Sequence, residues 1–417
     1  MKREKGFSLI ELMVSMGIVV TVVGIAMVAL MQAQQATQGV AYEANTQENL
    51  RAGMHFIVRD LMQAGEGIPQ GGISVPNNGA TSTILRPGAF APAATTFPNP
   101  APILPNFPGG FLAMTALSPG SVTGQDAKSV DPKTGAVLDG LLKTDIINIF
   151  YADNSLVDPA GNFLYSFPLI QGSPAVPACN NANSGSVALQ SAVFSPTGFS
   201  VTIDPLCFTM PGVANPITVG NLIMFHNQNG TAIEYVTNVA GQVITFGAGD
   251  PAGLNQTGLA NGTVVNLQNT AAGVPTGGFP PTTITRVWMV SYYVDSTTNP
   301  SHPQLVRQVN YPGFPTVLTA ANPPQPIADN IENLTFSYVI NLPGAAYASA
   351  GNAPTTLPPD SPNQIRAVNV SLAGRSEYPF KSGSSSQYFR NNLSTQVSIR
   401  SLSFQNQFGT SATYTAP

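Results

Sequence analysis

Charge is what this chain has least of. Only 9% of its 417 residues are Asp, Glu, Lys or Arg, and the net charge is −4. A disordered polyelectrolyte is excluded, because such chains combine high charge with few large apolar residues, whereas 43% of this one is apolar. The acidic balance also argues against a protein that binds nucleic acid over its whole surface. Histidine is nearly absent: His55, His226 and His302 lie far apart and carry no ligand spacing. The two cysteines, Cys179 and Cys207, have no Cys or His neighbours that would complete a zinc pattern. No P-loop, H-E-x-x-H or G-x-S-x-G occurs. No catalytic residue, cofactor or metal centre is therefore expected, and an enzyme is the class with least support.

Turn formers are abundant instead, with 39 Gly and 37 Pro. With plentiful Val, Ile and Phe they describe a folded, loop-rich and mostly β body of a kind common outside the cytoplasm. The length allows two or three compact units on a prior of ~150 residues each. Residues 69–282 carry four basic and nine acidic side chains, and residues 283–417 seven and five. Any basic surface patch therefore belongs to the C-terminal part. In an oxidising compartment Cys179 and Cys207, 28 residues apart, are candidates for a disulfide, whose loop closure would stabilise by ~3–4 kcal/mol.

The N-terminus breaks the pattern of the rest. Residues 7–31, FSLIELMVSMGIVVTVVGIAMVALM, hold a single charge, Glu11. As a helix they would span ~37 Å, enough for a ~30 Å hydrocarbon core with some tilt. Lys2, Arg3 and Lys5 precede them, which keeps the N-terminus cytoplasmic and exports the remainder of the chain. Thirteen Leu, Ile, Val and Phe side chains outweigh the ~2.5–3.5 kcal/mol cost of a central acid. The segment inserts despite Glu11, but a carboxylate at membrane depth asks for a cationic partner. An ordinary secretory signal fits badly, since the run is long and no A-x-A site lies beyond it.

KGFSLIELMVSMGIVV, residues 5–20, resembles the class III leader of type IV pilins and type II secretion pseudopilins. The shared pattern is a basic leader, a Gly, then Phe-Ser-Leu-Ile-Glu-Leu and an apolar helix. The resemblance implies that a prepilin peptidase cuts between Gly6 and Phe7 and that the new N-terminus on Phe7 is methylated. It also implies that Glu11 pairs with the N-terminal amine of a neighbouring subunit. Two opposite charges attract strongly in a low dielectric, and either one alone there is costly. Glu11 would then set the register of stacked helices.

Beyond the membrane, Ala33, Ala36, Val40, Ala44, Leu50, Met54, Ile57 and Leu61 recur at helical spacing, until Gly65, Gly67 and Pro69 end the pattern. This predicts a helix extension over 32–66 with one stripe packed on a head. Arg51, His55 and Arg59 stand four apart on another face: a solvated stripe, or a contact with an acidic neighbour. Residues 69–140 are too Pro-rich for central strands and read as an irregular layer anchored by Ile84, Phe90, Phe107, Phe111 and Leu112. Residues 141–282 read as a β-rich insertion: DIINIFYAD, FSVTID, three short strands in ITVGNLIMFHNQNGTAIEYVTNVAGQVITF, and another in GTVVNLQ. Residues 283–417 read as a C-terminal β-sheet region. A hairpin of TITRVWMVSYYVD with QLVRQVN comes first, then IADNIENLTFSYVI, QIRAVNVSLAGRS and LSTQVSIRSLSFQN. The order of these last segments resembles large minor pilins of the PilW type. The expected fold is α+β: a long N-terminal helix packed on an antiparallel β-sheet head.

Two further features could carry chemistry. DNSLVDPAGN gathers Asp153, Asn154, Asp158 and Asn162; hard oxygens can hold calcium, but the spacing is that of an Asx-rich turn. EYPFKSGSSSQYFRNN, with Lys381 and Arg390, reads as a mobile loop or as an aromatic-basic contact for a partner or DNA.

The function expected from the resemblance is a minor pilin, a structural subunit acting in type IV pilus assembly, initiation or at the tip. It would sit as a single pass in the inner membrane with a periplasmic head, then move to the cell surface. The implied partners are other pilins and minor pilins, the prepilin peptidase, the inner-membrane assembly platform and the lipid bilayer. Alternatives are a type II secretion pseudopilin, or a filament-displayed adhesin or DNA-binding module touching DNA or a host surface.

Overall fold

The fold is taken from a computed structural model of the chain. The structure describes residues 8–69, 72–76, 84, 113–120, 126–127, 142–153, 167–171, 187–195, 198–203, 217–240, 243–256, 258, 262–271, 274–275, 279–280, 282–296, 301–310, 323–340, 348–350, 365–382 and 385–403.

One helix, α1, runs unbroken from Leu9 to Gln63, 55 residues, or ~83 Å at 1.5 Å per residue. Every Leu, Ile, Val and Met between Leu9 and Met31 is more than half exposed. The head first buries the helix at Thr46, and Leu50, Gly53, Met54, Ile57 and Leu61 form the buried stripe. The expected stripe therefore divides. Its second half is core, while Ala33, Ala36, Val40 and Ala44 stay exposed because the head does not reach that far along the helix. At the far end Gly65 adopts φ +80, and a Cβ there would stand 2.8 Å from that of Ala116. Only glycine combines that backbone with that closeness. Its N–H donates to the Phe150 carbonyl at 2.8 Å and fastens the helix end to a strand.

Ten strands position the core and the candidate sites: β1 (Leu117–Gly120), β2 (Ile146–Ala152), β3 (Leu222–Asn227), β4 (Gly230–Tyr235), β5 (Thr282–Asp295), β6 (Gln304–Val309), β7 (Gln325–Asp329), β8 (Ile331–Ile340), β9 (Ile365–Arg375) and β10 (Arg390–Ser398). A helical turn, α2 (Arg400–Ser403), comes after them. Among the described residues two sheets dominate, one of twelve strands and one of four. The spine of the large sheet is β5. One edge of β5 pairs first with β3 and then with β6; the other pairs first with Phe167–Gln171 and then with β2. β1 extends the sheet beyond β2, and β7 extends it beyond β6. Pairing is antiparallel except between Phe167–Gln171 and Val187–Ser195. The small sheet runs Ala348–Ala350, β8, β9, β10, all antiparallel.

The buried stripe of α1 joins both sheets in one core. Leu50, Met54, Ile57 and Leu61 cluster with Ile149, Tyr292 and Leu305 of the large sheet and with Leu334, Val370 and Leu372 of the small one. A second core, built on Phe150, Met224, Ile233 and Met289, lies elsewhere on the large sheet. Asn330, in the left-handed region at φ 57, makes the turn between β7 and β8. Asn tolerates that conformation better than most residues.

Three expectations change in detail. The segment read as three strands holds four, namely β3, β4, Asn238–Ala240 and Val243–Gly247. GTVVNLQ is a 3-10 helix, Val264–Leu267, and not a strand. Val264 and Leu267, three apart, are both buried, while the Asn229 amide donates to the Leu267 carbonyl at 3.2 Å and that of Gln268 at 3.0 Å. A period of three has replaced the alternation that a strand requires. LSTQVSIRSLSFQN starts in β10 and turns helical at Arg400 in α2, and its last three residues lie outside the described residues. Of the proposed anchors of the Pro-rich layer, Ile84 is buried; Phe90, Phe107, Phe111 and Leu112 lie outside the described residues.

Candidate functional site

The start of α1 has a local chemistry of its own. Ser8 is the N-cap: its hydroxyl accepts the Ile10 N–H at 3.4 Å, and the Glu11 carboxylate accepts the Ser8 backbone N–H at 3.0 Å. This is a capping box, written in the sequence as Ser-x-x-Glu. The sequence reading gave Glu11 only an intermolecular role and missed this one, though the spacing was there to be read. Gly6 and Phe7 lie outside the described residues. The helix beyond this cap is long and apolar enough to cross a membrane, and the apolar window is unburied by the rest of the chain. Thr21 and Ser15 turn their hydroxyls onto main-chain carbonyls of their own helix, so polar side chains in the apolar run are satisfied internally.

Residues 1–30 match the family model described as the prokaryotic N-terminal methylation motif. The chain carries a class III prepilin leader. The motif is followed by the long helix α1 and by mostly antiparallel sheets, an α+β fold. Among solved structures the chain is similar to a type IV-like pilin from Thermus thermophilus. The identity is 12%, the match covers 44% of this chain and 86% of that one, and the TM-score is 0.18. No curated protein matches the chain.

Far from the prepilin leader, α1 buries a charge that sequence reading did not single out. Asp60 is 1% exposed. Its carboxylate accepts the Tyr292 hydroxyl at 2.6 Å and Arg307 Nε at 2.7 Å, and Arg59 Nε lies 3.3 Å away. Burial, and then the Asp60 charge, pushes the Tyr292 hydroxyl far above its ordinary value and that of Tyr151 to about 12. Both phenols stay protonated at any physiological pH, and Tyr292 donates to Asp60. The arrangement locks one helix face to β5 and β6. Of the expected basic stripe, Arg51, His55 and Arg59 are exposed, and Arg59 also sits over Phe56 at 5.0 Å.

The C-terminal aromatic-basic segment is largely spoken for. Arg390 Nε donates to Glu332 at 2.9 Å. Arg375, 2% exposed, lies 3.2 Å from the other oxygen of Glu332 and over the Tyr388 ring at 4.7 Å. Arg375 also donates to the Ser301 carbonyl. Burial lowers the Arg375 pKa, and Glu332 opposes that shift. The expected loop contains a short hairpin, Phe380–Ser382 with Ser385–Gln387. The side chain of Lys381 lies outside the described residues. An arginine bound to Glu332 and a tyrosine stacked on another arginine are poorly placed to read a nucleic acid.

The proposed calcium turn fares similarly. Asp153 is buried and accepts Arg286 Nε at 2.5 Å, while Asn154, Asp158 and Asn162 lie outside the described residues. Among the described residues no cluster of three or more His, Cys, Asp or Glu could hold a metal. Cys179 and Cys207 also lie outside them. His302 is held by Asn330 at 2.9 Å through Nδ1.

Where α1 leaves the head, a polar groove of about 420 Å³ opens. Tyr42, Asn45, Glu48 and Asn49 of the helix form one wall, and His302, Asp329 and Glu377 of the head contribute to the other. Elsewhere, the β4 carboxylate of Glu234 is 1% exposed, and neither of its oxygens has a hydrogen-bond partner among the described residues.

Proposed function

We propose that this protein is a minor pilin: an inner-membrane subunit, cut between Gly6 and Phe7 and methylated on Phe7, that is drawn into a type IV pilus with its head outside the cytoplasm. The observation that carries the reading is the prepilin leader running directly into an unburied apolar helix, which ends in a large head. A helix that leaves every large apolar side chain between Leu9 and Met31 exposed is stable only among lipids or other helices. A membrane before assembly and a filament after it supply both environments. Glu11 then holds the freed Phe7 amine of a neighbour inside the apolar bundle. The other pilins, the prepilin peptidase and the assembly platform are its partners. In the same compartment Cys179 and Cys207 pair as a disulfide.

Mass spectrometry of surface filaments sheared from producing cells tests this directly. The expected product is a chain beginning at methylated Phe7, with Cys179 and Cys207 peptides joined before reduction. Intact Met1 in assembled material overturns the reading. Recovery of processed protein only in secretion-dependent envelope fractions, with none in pili, transfers it to the type II secretion pseudopilins.

A further inference from the structure

The groove where α1 leaves the head is lined throughout by polar residues. Three carboxylates reach it from separate elements, Glu48 of α1, Asp329 of β7 and Glu377 after β9, together with Arg375 of β9. Arg375 is already committed: it lies against Glu332 and donates to the Ser301 carbonyl. None of the three carboxylates is in an ion pair among the described residues. On the helix wall Asn45 and Asn49, one turn apart, make no side-chain hydrogen bond among the described residues. The opposite wall is fixed beforehand, since Gln304 Nε2 donates to Asp329 at 2.7 Å and His302 is bonded to Asn330 at 2.9 Å. Tyr378, 56% exposed, follows Glu377 and bonds its carboxylate through the phenol hydroxyl. We propose that this groove binds a neutral saccharide.

The pattern of donors and acceptors selects this ligand. A hydroxyl both donates and accepts, a carboxylate only accepts, and a side-chain amide does both. Neighbouring hydroxyls of one sugar ring therefore donate to an acid of the groove while accepting from Asn45 or Asn49. Other ligands leave something unmet. An apolar one would strip water from carboxylates and amides without replacing it. An anion would face three acids against one arginine that is already paired. A metal ion needs its ligands to converge, and no group of three or more His, Cys, Asp or Glu among the described residues could hold one. An amine would meet the acids but offer no acceptor to the two amides. Tyr378 adds an exposed ring whose apolar face can carry the C–H face of a sugar while its hydroxyl stays wet. The groove volume of about 420 Å³ falls within the ~300–1,000 Å³ of small-molecule sites. None of these steps rests on cleavage at Phe7.

The full chain, held in a detergent without a sugar headgroup, is applied to an array printed with neutral, amino and acidic oligosaccharides. Retention on neutral oligosaccharides and none on acidic ones is expected. Asn45→Ala with Asn49→Ala should lower that retention about tenfold, as loss of two neutral hydrogen bonds implies. Tyr378→Ala should weaken it in the same direction. Asn45 and Tyr378 are exposed and Asn49 is half-buried, so circular dichroism should match wild type and assign the loss to the groove. No retention on any neutral oligosaccharide overturns the inference. So does retention indifferent to both variants, which places the sugar elsewhere, and so does retention of amino sugars alone, which makes the acids countercharges for an amine. Intact Met1 in filaments alongside normal retention would sink the pilin reading and leave the saccharide site standing; processing at Gly6 without retention does the reverse.

Discussion

Two buried carboxylates show how the same residue type serves opposite ends. Asp60 is buried with its partners, and its charge is used. Removing the carboxylate with Asp60→Ala should cost on the order of 3 kcal/mol, since it strands Arg307 and the Tyr292 hydroxyl. Tyr292→Phe should cost about 1.5 kcal/mol, the value of one hydrogen bond to a charged group. Urea unfolding of the detergent-solubilised chain measures both, and the double variant should fall short of the sum because the residues share one network. Glu234 is buried without a countercharge, and its charge is avoided. Burial first, and then the neighbouring Asp250 charge, raises its pKa well above the usual carboxylate value, and the nearby Val264 N–H opposes the shift without cancelling it. Asp250, itself raised by burial, keeps backbone N–H donors from Ala252, Leu254 and Asn255. The folded state therefore holds a proton on Glu234 that the unfolded chain releases. That contribution to stability is complete below the ordinary Glu value near 4.5 and is lost as pH rises through the folded value. Wild type should thus lose stability on raising the pH from 5 to 9. Glu234→Gln, which cannot ionise, should flatten most of that slope in pH-dependent thermal melts. A slope unchanged by the substitution would assign it to other groups.

Elements were legible where a residue pattern repeats and obscure where a single contact decides. The alternation in QIRAVNVSLAGRS fixed β9, and the 3.6 period marked α1, because both reflect burial of one face. Where α1 meets the head could not be read. Ala44 and Leu50 are equally good stripe members, and only the reach of β7 and β10 distinguishes them. The 3-10 turn Val264–Leu267 was hidden because two adjacent valines suit a strand, and the amides of Asn227 and Asn229 that hold it come from a distant hairpin. Asp60 was unreadable for the same reason, since its partners lie 232 and 247 residues away. Gly53 is a contact of this kind that can be tested. A Cβ there would stand 2.8 Å from Leu305 and 3.3 Å from Ala328, so its absence sets the spacing of helix and sheet. Gly→Ala ordinarily favours a helix by ~1 kcal/mol, and overpacking costs ~1–3 kcal/mol. Gly53→Ala should therefore lower the denaturant midpoint. Gly39→Ala, with nothing within 4 Å, should raise helicity by circular dichroism. A stabilising Gly53→Ala would show that the helix rides looser on the sheet than this geometry allows.

At the scale of the whole molecule the question is why an acid sits at the mouth of an apolar helix, and the structure supplies a rival to the intermolecular answer. Glu11 closes a capping box on Ser8 within its own chain. That alone would justify a polar residue there, at about 1 kcal/mol of helix stability. The two roles demand different chemistry. A cap needs an acceptor oxygen, and Gln at this position serves nearly as well as Glu. An ion pair with a freed amine in low dielectric needs the negative charge, and a neutral amide leaves the amine uncompensated. Glu11→Ala removes both roles, while Glu11→Gln removes only the charge. If Glu11 aligns neighbouring subunits, Gln should be excluded from sheared filaments as severely as Ala, with both still processed and held in the membrane. If the carboxylate merely starts the helix, Gln should assemble like wild type and Ala should show a modest deficit. Quantifying each variant in the filament fraction against the membrane fraction separates the two. The first result is the one expected, because local capping is open to several side chains, whereas a buried amine in a bundle of apolar helices is satisfied well only by an anion.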